Sequence, residues 1–141
     1  HPLTKIEELN HFAVTVVDDR KDLLTRSRYP KAENLVCDKF EDYLSQLKVR
    51  PGDYLVIVTR GHQHDYTVLR EVVETPASYI GMIGSQRKVD MTIDKLKRED
   101  EVSQEFLDRV QAPIGIDINS ETPAEIAVSI MAQIISVRRG K

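Results

Sequence analysis

The chain has 141 residues, of which 30% are charged and 40% hydrophobic, and its formal net charge is −3 at pH 7. This length suits one domain over residues 1–141, and 20 basic residues balanced by 23 acidic ones argue against a nucleic-acid partner. No apolar run approaches membrane-spanning length and no signal peptide is apparent, so we expect a cytoplasmic protein without membrane association. Cys37 is the only cysteine, and its apolar neighbours predict a buried thiol.

The first part of the chain predicts a helix and then a strand that ends in acidic residues. Residues 2–10 have apolar side chains at helical spacing, and residues 12–17 form a nearly continuous apolar run, typical of a parallel strand covered on both faces. Asp18 and Asp19 follow that run. In a dinucleotide-binding unit an acidic residue at this point hydrogen-bonds a ribose hydroxyl. It is an equally good explanation of Asp18 and Asp19 that they only end the strand in a solvated loop and bind no ligand.

A histidine-containing loop follows the strongest strand of the sequence. After a short strand at 35–37 and a short helix at 40–47, residues 53–59 predict a strand that leads into Arg60-Gly61-His62-Gln63-His64-Asp65. His62 is a candidate general acid or base or a ligand contact, and Arg60 either binds ligand or pairs with an aspartate. Asp65 suits the N-cap of a helix predicted at 66–73. Because the His-x-His-Asp spacing alone is a weak metal signal, we assign no metal site.

The stretch from residue 79 to residue 89, Tyr-Ile-Gly-Met-Ile-Gly-Ser-Gln-Arg-Lys-Val, has the order strand, tight turn and helix. Glycines allow a ligand to approach the backbone, and the first N–H groups of a helix carry partial positive charge. The stretch therefore predicts an anion site, with a plain capped βα turn as the alternative. The residues assigned to the site are Gly81, Gly84, Ser85, Arg87 and Lys88.

The last third of the chain predicts an extended segment and a long helix. Residues 113–118 are extended and contain Gly115 and Asp117, which we add to the candidate binding residues. Thr122 then begins a capping box that opens the last helix. That helix has an apolar face, and an alternative function for the domain is dimerisation through it. The face consists of Ile126, Ile130 and Ile134.

Alternation of strands and helices predicts an α/β fold with a doubly wound, Rossmann-like parallel sheet. Such a sheet starts with a strand and a glycine-rich turn ahead of the first helix, and this sequence starts at that helix. We therefore expect an N-terminally incomplete domain, in which loss of the central strand leaves two half-sheets with facing, unpaired edges. Either an upstream segment is missing from the sequence or another chain supplies the central strand. The candidate residues all follow strands, so they should meet at the carboxyl edge of the sheet.

Four stretches together resemble the Rossmann-type C-terminal domain of the XdhC/CoxI family, the xanthine dehydrogenase accessory proteins. They are residues 14–20, 59–65, 79–88, and 113–118 together with 122–127, so the resemblance extends over nearly the whole chain. The family's glycine-rich turn with its histidine and its separate N-terminal domain with a cysteine motif are absent from the sequence. We do not transfer the role of that cysteine to Cys37.

The resemblance implies a non-catalytic accessory protein that binds the molybdenum cofactor (molybdopterin) and delivers it to a molybdenum hydroxylase such as xanthine dehydrogenase. A cofactor sulfurase is a further implied partner, and we expect a homo-oligomer. The doubly wound pattern leaves one alternative open, an oxidoreductase domain that binds NAD(P). The candidate binding residues are Asp18, Asp19, Arg60, Gly61, His62, Gly81, Gly84, Ser85, Arg87, Lys88, Gly115 and Asp117.

Overall fold

The computed structural model of the chain describes residues 2–3, 12–59 and 62–140, with only the backbone described at His62 and Gln63. Residues 2 and 3 are helical, and the rest of the helix predicted at 2–10 lies outside the described residues. The four strands are β1 (Thr15–Asp18), β2 (Asn34–Cys37), β3 (Tyr54–Ile57) and β4 (Tyr79–Met82). The α-helices are α1 (Phe40–Gln46), α2 (His62–Val72), α3 (Gln86–Glu99), α4 (Gln104–Asp108) and α5 (Pro123–Arg138), and Lys21–Leu23 form a 3-10 helix.

The strands form two separate parallel pairs within the described part of the chain. β1 pairs with β2, with Asp18 opposite Cys37, and β3 pairs with β4, with Ile57 opposite Met82. Residues 111–114 follow the outer edge of β4, where the Met82 N–H donates to the carbonyl of Gln111. The predicted α/β fold with two parallel half-sheets is confirmed.

Helices cover both faces of the β3–β4 pair, as a doubly wound sheet requires. Side chains alternate along each strand, so Ile57, Ile80 and Met82 pack with α2 and α3 in one cluster of buried residues. On the other face Tyr79 packs with α5 and Leu3 in a second cluster. No helix among the described residues is long and apolar enough to cross a membrane.

Three local predictions are wrong. Helix α2 begins at His62 and not at residue 66, so Asp65 lies inside its first turn and is not the N-cap. Cys37 is exposed because it ends β2, whose second edge is not paired among the described residues. Strand β1 was expected to be covered on both faces. Its residues are half-buried or exposed instead, because they line a cavity between the two half-sheets.

Candidate functional site

The turn between β4 and α3 is the best-formed part of the candidate site. Gly84 has a φ of +148°, which favours glycine, and Ser85 is the N-cap of the 14-residue helix α3. The Ser85 hydroxyl accepts a hydrogen bond from the Lys88 N–H at 3.3 Å. The side chains of Arg87 and Lys88 are exposed in the first turn of the helix. The turn thus combines a helix N-terminus, a glycine backbone and two cations, the chemistry that binds phosphate.

Replacing Ser85 by alanine is expected to lower the free energy of unfolding by about 1 kcal/mol, because the capped N–H of α3 loses its acceptor. Ser103 provides a matched control, since it is the N-cap of α4 but its side chain makes no capping hydrogen bond. Urea denaturation of both alanine variants measures the difference. If S85A and S103A lower the free energy of unfolding equally, the capping role of Ser85 is contradicted.

A tight ion pair lies at the end of β1. Both carboxylate oxygens of Asp18 accept hydrogen bonds from the Arg20 guanidinium, at 3.0 Å and 2.9 Å, and the Arg20 N–H adds a third at 3.0 Å. These bonds hold the pKa of Asp18 below its ordinary value, so the carboxylate is charged at neutral pH. The neighbouring Asp19 is half-buried. Arg20 was not among the predicted site residues, although an arginine two positions after a strand-ending acid was a usable signal.

The histidine loop is described only in part. Arg60 and Gly61 lie outside the described residues, and of His62 only its place at the start of α2 is known. His64 packs edge-on against the ring of Phe40, with 5.6 Å between centroids. Asp65 is buried and accepts a hydrogen bond from the Thr59 hydroxyl. In the described ranges no three His, Cys, Asp or Glu side chains are grouped as metal ligands.

Gly81 and Gly115 are both closely packed. A Cβ on Gly81 would lie 2.5 Å from Cδ1 of Ile114 and 2.7 Å from the Tyr79 hydroxyl. A Cβ on Gly115 would overlap the Ser129 hydroxyl, and Gly115 has a φ of +98°. Packing therefore accounts for both glycines, and their contact with a ligand stays a prediction. Asp117, two residues after Gly115, is exposed and accepts a hydrogen bond from the Asn119 N–H at 3.2 Å.

Gln133 of α5 fixes the Gly115 segment in place. Its Oε1 accepts hydrogen bonds from the Tyr79 hydroxyl at 2.5 Å and from the Gly115 N–H at 3.0 Å. Its Nε2 donates to the Gly115 carbonyl and to the Gln111 side chain, both at 3.3 Å. Burial raises the pKa of Tyr79, so its hydroxyl stays protonated as a donor. Sequence reasoning missed Gln133, because a glutamine within an apolar helix gives no sign of its partners.

The predicted dimer face of α5 is largely used inside the chain. Ile130 and Ile134 are 2% and 1% exposed and pack with Leu3 and Tyr79. Val128 on the same helix is 51% exposed. Dimerisation itself stays a prediction, but Ile130 and Ile134 are not available to form its interface.

Residues 1–134 match the family of the XdhC Rossmann domain. The chain belongs to this family. It is 31% identical over 138 residues to a protein of Bacillus subtilis (strain 168) described as a probable xanthine dehydrogenase subunit, covering 98% of this chain and 39% of that protein. It is 32% identical over 128 residues to "Uncharacterized protein YqeB" of Escherichia coli (strain K12), covering 90% of this chain and 23% of that protein.

A solved structure described as a xanthine dehydrogenase from Bacillus halodurans superimposes with a TM-score of 0.87 at 28% identity. The superposition covers 99% of this chain and 39% of that one. The chain thus spans less than two-fifths of the length of these three proteins. The resemblance inferred from four short stretches is confirmed as family membership, and the Rossmann-like fold is confirmed with it.

Proposed function

We propose that this XdhC Rossmann domain is part of an accessory protein that holds the molybdenum cofactor as cargo for a xanthine dehydrogenase-type molybdenum hydroxylase. Its membership of the XdhC family over residues 1–134 carries the proposal. The Bacillus subtilis relative, described as a probable xanthine dehydrogenase subunit, supports the same class of client. A cofactor sulfurase as a further partner, a homo-oligomeric state and a cytoplasmic location belong to the proposal.

The β4–α3 turn supplies a fitting place for the phosphate of the pterin. Gly84 carries no side chain where the backbone approaches the anion, and the N-terminus of α3 offers partial positive charge. Arg87 and Lys88 would neutralise the phosphate. Because these groups bind the phosphate and perform no bond chemistry, the turn is suited to retention of a cargo rather than to catalysis.

The test compares cofactor retention by two double variants of the full-length protein under anaerobic conditions. R87A/K88A removes two cations from the start of α3, and K97A/R98A removes two from its last turn as a matched control. Loss of two charge-assisted hydrogen bonds should weaken binding by roughly 100-fold in the first variant, while the control binds like the parent. Molybdenum cofactor retained by each purified protein is the measurement. Unchanged binding by R87A/K88A, or equal losses in both variants, would contradict the proposed phosphate site.

A second candidate function is binding of NAD(P) in an oxidoreductase domain. One observation favours it: Asp18 ends β1, where an acidic residue meets the ribose in a dinucleotide-binding unit. The same carboxylate is held on both oxygens by Arg20, so a ribose hydroxyl would have to share it. Calorimetric titration of the same full-length protein with NAD and NADP separates the candidates, since the accessory function requires neither to bind.

A further inference from the structure

Helix α5 is apolar on its outer face as well as on its inner face. Its residues 126–137 include no charged side chain, whereas eight of the 14 residues of α3 are charged. A helix at a protein surface normally has charged residues on its outer face, and a helix that is apolar all round is normally buried. The inner face of α5, with Ala127, Ile130 and Ile134, packs with Tyr79. The outer face does not have the composition of a solvated surface.

The outer face of α5 is formed by side chains four residues apart, which lie above one another on a helix. They are Ala124, Val128, Ala132 and Ser136. Ala124, Val128 and Ser136 are exposed, and Ala132 is half-buried. Alanine and serine side chains are short, so the backbone of another helix can approach this face closely.

Two exposed isoleucines extend the outer face on one side. The Ile116 N–H donates a hydrogen bond to the Ser129 carbonyl at 3.2 Å, which places Ile116 next to the turn of α5 that contains Val128. Ile116 is 42% exposed and Ile118, in the same segment, is 50% exposed. With Val128 they are three of the five large hydrophobic side chains that are exposed in the described ranges. Single exposed hydrophobic residues are common, but a group of them indicates a contact with another protein.

The two ends of α5 have charges of opposite sign. Glu121 and Glu125 are exposed at its N-terminus, and the exposed Arg139 follows its last residue. Hydrogen bonds from the N–H groups of Thr122 and Glu121 lower the pKa of Glu125, so its carboxylate is charged at neutral pH. At 1.5 Å per residue, about 21 Å of helix separates Glu125 from Arg139.

This charge pattern is complementary to itself when a second α5 helix runs antiparallel to the first. Glu125 of each copy then lies opposite Arg139 of the other, and Ala132, midway between them, lies on the two-fold axis. The partial positive charge at the N-terminus of each helix also meets the partial negative charge at the C-terminus of the other. An acidic or a basic partner protein would find only one end of the surface complementary and would meet the other as a like charge.

We propose that the outer face of α5, with Ile116 and Ile118 beside it, is the contact between two copies of this chain packed antiparallel about a two-fold axis at Ala132. Such an interface is isologous, because both copies contribute the same patch. The inference names the surface of the homo-oligomer proposed above and rests on that state. It does not depend on binding of the cofactor at the β4–α3 turn.

Sedimentation velocity of the full-length protein over a range of concentrations tests the proposal. The parent should dimerise as its concentration rises, and V128E should raise the dissociation constant at least about 100-fold, because it places a carboxylate in an apolar contact. M91E is the matched control, since Met91 of α3 is 52% exposed and Val128 is 51% exposed. M91E should dimerise like the parent, and circular dichroism checks that both variants are folded. A parent that stays monomeric, or equal dissociation constants for V128E and M91E, would overturn the proposal.

Disulfide formation between introduced cysteines tests the antiparallel arrangement without adding a charge to the interface. Two copies of A132C should form a disulfide with each other on oxidation, because both lie at the two-fold axis. The A124C variant changes the same face, but its two cysteines would lie about 24 Å apart and should not be linked. Mass spectrometry identifies the linked peptides. No disulfide in A132C, or a disulfide between two A124C copies, would overturn the arrangement.

Cofactor retention by the same preparations separates this inference from the proposed function. A protein that dimerises through α5 but retains no molybdenum cofactor would contradict the proposed function and support the interface. A protein that retains the cofactor as a monomer at every concentration would support the function and overturn the interface.

Discussion

Replacing Gly115 by alanine is expected to lower the free energy of unfolding by about 3 kcal/mol, the sum of a backbone term and an overpacking term. The backbone term arises because Gly115 has a φ of +98°, which a residue with a Cβ adopts only under strain. The overpacking term arises because the new Cβ would overlap the Ser129 hydroxyl, which donates a hydrogen bond to the Ile116 carbonyl. Chemical denaturation monitored by circular dichroism gives the measurement.

Gly52 is a closely matched control for this variant. Its φ is +99°, and apart from Gly52 and its two chain neighbours no heavy atom of the described residues lies within 4 Å of the position a Cβ would take. The G52A variant should therefore show the backbone term alone, about 1 to 2 kcal/mol. If G115A and G52A lose the same free energy, the contact with Ser129 contributes nothing and the packing explanation for Gly115 is wrong.

The sequence was sufficient to predict the parallel sheet and its interruption. A nearly continuous apolar run at β1, and a second one at β3, are signatures of parallel strands that need no tertiary information. The gap between the half-sheets followed from strand order alone, since a doubly wound sheet without its first strand loses its centre. The N-caps Ser85 and Thr122 were also predictable, because capping depends on residues within one turn.

Other features depend on contacts between residues distant in sequence. Helix α2 begins four residues before the predicted position, and its first turn places His64 against Phe40 of α1. Cys37 was predicted to be buried from its apolar neighbours, but exposure depends on which edge of β2 finds a partner. The candidate site was predictable as a set of strand ends. The Asp18–Arg20 pair is a local exception, because its two residues are close in sequence and the arginine after the strand-ending acid was a usable signal.

The partners of Gln133 are also distant in sequence, so its role could not be predicted. Its replacement is the second change for which we expect a large loss of stability. Replacing it by leucine is expected to lower the free energy of unfolding by about 3 kcal/mol, because the Tyr79 hydroxyl and the Gly115 N–H both lose their acceptor. Each of these donors costs about 1 to 3 kcal/mol when it is left unsatisfied away from water. Gln104 is the control, since it is exposed and its side chain bonds Asp108 on its own helix, so Q104L should change stability by less than about 0.5 kcal/mol.

A double-mutant cycle with Y79F distinguishes the hydrogen-bond network from a simple loss of packing at Gln133. In the parent, Y79F should cost about 1 kcal/mol, because one hydrogen bond is lost while Gln133 still accepts from Gly115. In the Q133L background the same change should raise stability by about 1 to 3 kcal/mol, because it removes a hydroxyl that has been left without its acceptor. The expected coupling is therefore at least about 2 kcal/mol. Additive effects of Y79F and Q133L would show that the two side chains act independently, and that Gln133 does not link β4 to the Gly115 segment through Tyr79.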